Sequence, residues 1–209
     1  MNTEYSETDF RTEVTDRMKQ KGESFIMALY AVLDEWTARG IEAEETKPAC
    51  HGGCSFCCHQ LVSSTAIEWV EIRSFILGLS ATARYWLTKR IKKRLPEWHT
   101  YFKEFDLKIR THQRNPLNDW MGKPCVFLNA QGQCDIYPVR PIDCRTFSST
   151  IVCSNESKGD GVQRCRFPWE LWANNWLLEY QAKLANTSVM KVEILILNDR
   201  LAQDSILWK

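Results

Sequence analysis

The pattern of apolar and polar positions predicts a mostly helical chain. In residues 1–45 apolar side chains recur at the spacing of one helix face. They are Phe25, Ala28, Leu29, Val32, Leu33 and Trp36. Gly22 lies upstream of this stripe, at a position that is unfavourable for a continuous helix. Gly40 is predicted to end the helix.

A second helical region follows the first cysteines. Thr65-Ala66-Ile67-Glu68 fits a capping box, which predicts a helix that begins there and ends near Gly78. Ser80 is a cap for a second, longer helix, and Pro96 is expected to kink or break it. Its apolar stripe consists of Leu87, Ile91, Leu95, Trp98, Phe102, Phe105 and Ile109.

The later part of the chain adds a small amount of predicted β structure. Residues 125–137 read as a β-hairpin with a short Asn/Gly loop, and Pro141 as the start of a short helix that carries Cys144. Pro168 opens a helix whose tryptophans, Trp169, Trp172 and Trp176, form one core-facing stripe. Residues 189–197 fit either a strand or a helix.

These elements predict one mostly α domain, built around a cysteine-rich metal site with one small β-hairpin. The 209 residues suffice for a hydrophobic core of their own. We divide the domain into N-terminal helices (1–45), a cysteine-cluster core (46–153) with a helical insertion (65–113), and a C-terminal helix and tail (154–209).

Charge and composition narrow the function classes. The net charge of +1 gives no reason to expect nucleic acid as a partner. The polar, acidic first residues do not resemble a signal peptide, and no apolar run is long enough to span a membrane. We therefore expect a cytoplasmic protein with reduced thiols, and leave open an unidentified protein partner.

Nine cysteines in a reducing compartment indicate metal binding rather than disulfides. Four of them, with His51 and His59, fall within the ten residues 50–59, where closely spaced thiolates suit one ion or cluster. Cys165 reads as a small buried hydrophobe. The predicted metal ligands are Cys50, Cys54, Cys57, Cys58, Cys125, Cys134, Cys144 and Cys153.

Three kinds of centre fit the first cysteines. A structural zinc ion would take four sulfurs, or three with His51 or His59. An iron–sulfur cluster would draw cysteines from both cysteine segments. The spacing Cys50-x3-Cys54-x2-Cys57 also matches radical SAM enzymes, but the helical flanks do not match their βα barrel.

The residues next to two of the cysteines predict further details of the metal site. Side chains of the adjacent Cys57 and Cys58 are expected to point apart, so that one ion uses only one of them or two metals lie side by side. Arg140 and Arg145 flank Cys144, and are expected either to offset thiolate charge or to pair with Asp135 or Asp143.

Two long-range contacts are also predicted. Residues 50–58 and 125–144 are expected to share one centre or two adjacent ones. Residues 1–45 hold eleven acids against five bases, which predicts a contact with the basic stripe at 89–94.

The cysteine motifs resemble the YkgJ-like cysteine-cluster family of the CxxCxxCC type, described as zinc- or iron-chelating proteins. The residues that carry the resemblance are Cys50-x3-Cys54-x2-Cys57-Cys58, Pro124-Cys125-Val126-Phe127-Leu128 and Gly132-Gln133-Cys134-Asp135-Ile136-Tyr137-x2-Arg140-Pro141-x2-Cys144-Arg145. The resemblance implies metal binding. Flagellin lysine N-methylases share the cluster and are thought to hold an iron–sulfur centre, but carry an extra domain for which this chain is too short.

Two classes of function remain. The first is a protein that holds iron–sulfur clusters or zinc or iron ions in a structural, sensing or delivery role. The second is a cluster-dependent enzyme for redox chemistry or methyl transfer. The sequence shows no Gly-rich nucleotide loop and no nucleophile–base pair beyond the cysteines and four scattered histidines, which favours the first class.

Overall fold

A computed structural model describes most of the chain. It covers residues 5–45, 47–50, 54–110, 122–153, 164–191 and 194–196. The predicted mostly helical fold is confirmed. In these ranges the elements are α1 (Glu7–Lys21), α2 (Phe25–Ala43), β1 (Ser63–Thr65), α3 (Ala66–Gly78), α4 (Ala81–Arg110), α5 (Ile142–Arg145), α6 (Pro168–Leu184) and β2 (Ile194–Ile196). No helix in these ranges has the length and apolar character needed to cross a bilayer.

The N-terminal region is a pair of helices separated at Gly22. Ser6 caps α1 by accepting a hydrogen bond from the Asp9 amide, and Gly22 ends it in the left-handed conformation, with φ of 66°. Ser24 then caps α2. The prediction that Gly40 ends this helix is wrong, because α2 continues to Ala43 and Gly40 instead packs against Trp169.

The first hydrophobic core joins α1, α2 and α6. Phe10 of α1 and Leu33 of α2 are buried in it with Trp169 and Leu177 of α6. The predicted tryptophan stripe is confirmed, since Trp172 and Trp176 also pack against this core. Burial of each large apolar side chain contributes about 1.5–3 kcal/mol.

The second hydrophobic core lies between the helical insertion and the later cysteines. Ile72 of α3 and Leu87 and Ile91 of α4 pack against Phe127 and Ile136. The predicted caps are confirmed: Thr65 and Glu68 form a complete capping box, and Ser80 accepts a hydrogen bond from the Ala83 amide.

Pro96 does not break α4, which continues to Arg110, and the predicted kink at Pro96 stays a prediction. A proline inside a helix costs about 3 kcal/mol. Leu87, Ile91 and Trp98 are buried on either side of it. At about 1.5–3 kcal/mol each, their burial exceeds that cost.

The predicted hairpin at 125–137 is reduced to a turn with one isolated bridge, between Leu128 and Cys134. Two cross-strand hydrogen bonds flank this bridge, from the Asn129 amide to the Gln133 carbonyl and from the Asp135 amide to the Phe127 carbonyl, each 2.9 Å long. The Leu128 and Tyr137 amides instead donate within tight turns, to Cys125 and Cys134. The two-stranded antiparallel sheet of the described ranges is β1–β2. Residues 189–197, which fitted strand or helix, contain a 3₁₀ turn followed by β2.

The ion pairs of the described residues do not join the acidic N-terminal helices to the basic stripe at 89–94, and the closeness of these two surfaces stays a prediction. Acids of α1 and α2 pair with arginines of the same two helices, as in Glu13–Arg39 and Glu35–Arg17. Arg90 of the stripe pairs instead with Asp135. Ion pairs between side chains of the same two helices are short, and salt screens interactions between charges that are farther apart.

The Glu68 carboxylate joins three elements in the interior. One of its oxygens accepts hydrogen bonds from the Tyr30 hydroxyl (3.0 Å) and from the amide of Ile142 (2.9 Å). The other accepts from the Thr65 amide at 2.8 Å. Glu68 is 2% exposed, and burial raises its pKa although these donors lower it. This carboxylate therefore fixes α5, which carries Cys144, to α2 and α3.

Arg145 provides a second link between α2 and the cysteine region. Its guanidinium lies 3.9 Å from the centre of the Tyr30 ring and pairs with Asp34. It also donates to the carbonyls of Arg140 (2.9 Å) and Pro138. The predicted pairing of Arg145 with Asp135 or Asp143 is wrong, since Asp143 instead accepts hydrogen bonds from Ser63.

We expect Gly40→Ala to lower the free energy of unfolding by about 1–3 kcal/mol, a typical cost of overpacking. A Cβ at residue 40 would lie 2.6 Å from Trp169 and 2.8 Å from Phe167, whose rings are packed. The measurement is chemical denaturation. Gly78→Ala is the matched control, because no atom lies within 4 Å of its added Cβ. Its helix propensity should leave stability unchanged or improved by up to about 1 kcal/mol. Equal effects of the two substitutions would contradict the packing explanation.

We expect Glu68→Gln to lower the free energy of unfolding by about 1–3 kcal/mol at neutral pH, because one buried donor loses its acceptor. Glu71→Gln on the same helix is the control. Its amide oxygen can still accept from Ser24, so its effect should stay within about 0.5 kcal/mol.

The pH dependence of this loss is a second measurement. The Glu68 pKa is raised in the folded state, so the folded protein binds more protons than the unfolded chain between the two pKa values. The contribution that protonation of Glu68 makes to the free energy of unfolding is complete below the pKa of Glu68 in the unfolded chain. It is lost as the pH rises through the higher pKa of Glu68 in the folded protein. The stability advantage of wild type over Glu68→Gln should therefore narrow with rising pH. A stability advantage of wild type that widens with rising pH would contradict the assignment of this pH dependence to Glu68.

Candidate metal centre

The first cysteine loop ends in a tight turn. Residues Phe56–His59 form a 3₁₀ turn in which the Cys58 amide donates to the Ser55 carbonyl at 2.9 Å. The His59 Nδ1 atom lies 3.0 Å from the same carbonyl oxygen, so this ring nitrogen is engaged by the backbone. His51, the other candidate imidazole, lies outside the described residues.

The loop lies directly beside the later cysteine segment. The Cys125 amide donates to the Cys58 carbonyl at 2.6 Å, and the Gly122 amide donates to the His59 carbonyl at 3.0 Å. The intervening helices α3 and α4 thus return the chain to the first loop. These two hydrogen bonds place the two cysteine segments side by side, and the shared centre predicted for them stays a prediction.

Five half-buried cysteines gather where the two segments meet, and we call them the inner group. They are Cys57, Cys58, Cys125, Cys134 and Cys144. Burial raises the pKa of Cys144 well above its ordinary value, and Cys125, Cys57 and Cys134 raise it further. The charges of neighbouring thiolates thus act on Cys144 in the same direction as its burial.

Backbone amides point at two of the inner sulfurs. Burial raises the pKa of Cys125 to about 11, and the Phe127 amide, which donates to its sulfur, opposes that rise. The Ile136 amide does the same for Cys134, whose pKa burial also raises. In each case the donor is two residues after the cysteine, so the turn itself stabilises a thiolate there.

The adjacent thiols of Cys57 and Cys58 influence each other's pKa in this turn, and the prediction that their side chains point apart stays a prediction. A hydrogen bond from the Cys58 thiol lowers the pKa of Cys57 to about 7, and the same bond raises the pKa of Cys58. Cys58 also interacts with Cys125 and Cys134.

Three other cysteines form an outer group: Cys50, Cys54 and Cys153. They line a cavity of about 240 Å³ together with apolar side chains that include Phe56 and Val152. The Ser149 amide donates to the Cys50 sulfur at 3.3 Å, and the Ala49 amide donates to the Ser149 carbonyl at 2.8 Å. Cys50 is exposed, whereas Cys54 and Cys153 are half-buried, so the outer group reaches solvent at Cys50.

Two guanidinium groups lie near the inner sulfurs. The Cys57 pKa, lowered mainly by Cys58, is lowered further by the positive charge of Arg140. Arg94 acts in the same direction on Cys125, against the effect of burial. Arg140 lies over the Tyr137 ring, 3.7 Å from its centre, and Arg94 donates to the Pro124 carbonyl at 3.1 Å. The prediction that Arg140 offsets thiolate charge is consistent with these effects, and no Arg140 pair with Asp135 or Asp143 is recorded in the described residues.

Cys165 is separate from both groups and packs against the first hydrophobic core. Its pKa is raised by burial, as expected for a small buried hydrophobe. Glu68 and Asp34 are the positioning residues that sequence reasoning missed. The capping box identified Glu68 as a helix cap, but its contacts with Tyr30 and Ile142 arise only in the folded chain.

The donor set fits zinc or iron, because thiolates favour these metals. The sulfurs are gathered without being closed around one point. Within the described ranges, no three His, Cys, Asp or Glu side chains are arranged as ligands of one ion. Binding would therefore require small side-chain movements and the loss of thiol protons.

Comparison with known proteins gives one match. The family described as "CxxCxxCC: Putative zinc- or iron-chelating domain" matches residues 49–166, which include all nine cysteines. No curated protein and no solved structure matches the chain. The matched range is more than half of the chain and contains both cysteine groups. The chain therefore belongs to this CxxCxxCC family.

Proposed function

We propose that the two cysteine groups together hold the metal that this family chelates, as an iron–sulfur cluster or as zinc or iron ions. The role is structural, sensing or delivery. The ligands we assign are the eight cysteines of the inner and outer groups, and Cys165 is excluded. This assignment follows from where the thiols lie and from the chemistry of their donors.

The observation that carries the proposal is the hydrogen bond from the Cys125 amide to the Cys58 carbonyl. It joins backbone from two segments far apart in sequence and makes their thiols neighbours. A metal bound there would cross-link the fold across the insertion formed by α3 and α4. The chain-entropy cost of closing such a loop grows only slowly with its length.

The two groups differ in the coordination they can supply. The inner group has five thiols, one more than a tetrahedral ion uses, and it carries two nearby guanidinium groups. The outer group has three thiols beside a cavity, so a fourth position there would be open. A closed site suits a structural metal, and a three-ligand site suits an exchangeable or reactive one.

The alternative function, a cluster-dependent redox or methyl-transfer enzyme, draws its support from the outer cavity. An open position beside three thiols could admit a small substrate. Both functions require metal at the same cysteines, so metal content is measured first.

We expect Cys134→Ser and Cys144→Ser each to lower the bound metal of anaerobically purified protein by at least half. Elemental analysis and the visible spectrum are the measurements. A brown protein that bleaches on reduction would identify iron–sulfur, and a colourless one with stoichiometric zinc would identify a zinc centre. Cys165→Ser is the matched control and should retain the full metal content. Full metal content in both Cys134→Ser and Cys144→Ser would contradict a metal centre shared by the two cysteine segments.

We expect removal of the metal by a chelator to lower the thermal midpoint of unfolding and to speed hydrogen exchange at residues 54–59 and 122–128. Metal that binds only the folded chain adds its binding free energy to stability. The α1–α2 pair is held by the first hydrophobic core, which it shares with α6, and should keep its protection. Faster exchange in the first loop alone would show that the metal does not join the two segments.

A further inference from the structure

A groove of about 890 Å³ lies between α4 and the segment that precedes the turn at Cys134. Trp86, Lys93 and Arg94 of α4 line one wall, and Lys123 and Gln131 belong to the other. The cysteine groups do not line this groove, and nothing in the proposed function uses it.

The groove carries a surplus of positive charge. Its lining contains the cations Lys89, Arg90, Lys93, Arg94 and Lys123 against the acids Glu97 and Asp135. Both acids are already paired, Asp135 with Arg90 and Glu97 with Lys123. Lys89 and Lys93 are exposed one helical turn apart, and no ion pair is recorded for either within the described residues.

The shape of the groove selects an elongated occupant. Its α4 lining runs from Ala83 to Glu97, which spans about 21 Å at the rise of an α-helix. A strand-like peptide of about six residues has that length. Trp86, which is 54% exposed, lies near one end of the groove. The Lys89 ammonium lies 4.9 Å from the centre of its ring, so an apolar contact with Trp86 would be made beside a positive charge.

We propose that this groove binds an extended, acidic segment of a partner protein, with one apolar side chain against Trp86. Charge complementarity and length both favour such a segment over a compact anion. The groove adjoins the metal-binding region, because Arg94 donates to the backbone carbonyls of Pro124 and Cys125. A docked partner would therefore contact the segment that carries Cys125.

The test measures fluorescence anisotropy of a labelled eight-residue peptide of Asp and Glu with one Leu near its end, added to the full chain as purified. A second peptide replaces each acid by its amide. A labelled oligothymidylate of similar length tests the other class of polyanion. The proteins are wild type, Lys93→Glu and the control Lys92→Glu, which makes the same change of charge at an exposed neighbouring residue that does not line the groove.

We expect the acidic peptide to bind, and its affinity to fall with added salt. Lys93→Glu should weaken binding roughly three- to tenfold, and Lys92→Glu less than about twofold. Equal losses in both variants, equal binding of the amide peptide, or tighter binding of the oligothymidylate would each overturn the proposal. Because peptide binding needs no metal, its failure would leave the proposed metal function standing.

Discussion

The buried Glu68 carboxylate is the interaction on which the cysteine region depends. The helix that carries Cys144, α5, has four residues, which is too short for a helix to be stable alone. Its position is set from outside, by the Ile142 amide on Glu68 and by Arg145 against Asp34. A buried carboxylate without donors would be costly, so Thr65 and Tyr30 are required as much as Ile142 is. One side chain thus links a helix cap, a core tyrosine and a cysteine-bearing turn.

The metal-binding region itself is built from turns that helices hold in place. The inner cysteines lie in tight turns and in the four-residue helix α5, where backbone amides are not used by a long ladder and can face sulfur. This explains why the Phe127 and Ile136 amides donate to Cys125 and Cys134. The surrounding order comes from the apolar contacts of α3 and α4 with Phe127. The helical insertion therefore serves as the support for the second cysteine segment.

Much of the fold follows from local rules, and most of the wrong predictions come from tertiary contacts. The capping box at Thr65, the Ser80 cap and the tryptophan stripe depend on neighbours within one helix, so the sequence predicts them correctly. Gly40 shows the limit: glycine favours a helix end, but here it is kept small by Trp169, which is remote in sequence. The hairpin is shorter than predicted for a different reason: the Leu128 and Tyr137 amides donate within turns, and the Phe127 and Ile136 amides donate to sulfur, so only the central bridge remains.

The difference in exposure between the two cysteine groups has a consequence for the chemistry of each. Thiolates of the inner group must be desolvated, and burial raises the pKa of Cys144 accordingly. A metal cation removes that penalty by replacing the protons, so the inner group gains most from binding and would release metal least readily. The outer group faces solvent through Cys50 and has a cavity beside it, so its ligands can exchange without unfolding the core. In the proposed function, the inner group is thus suited to a metal that maintains the fold, and the outer group to one that exchanges.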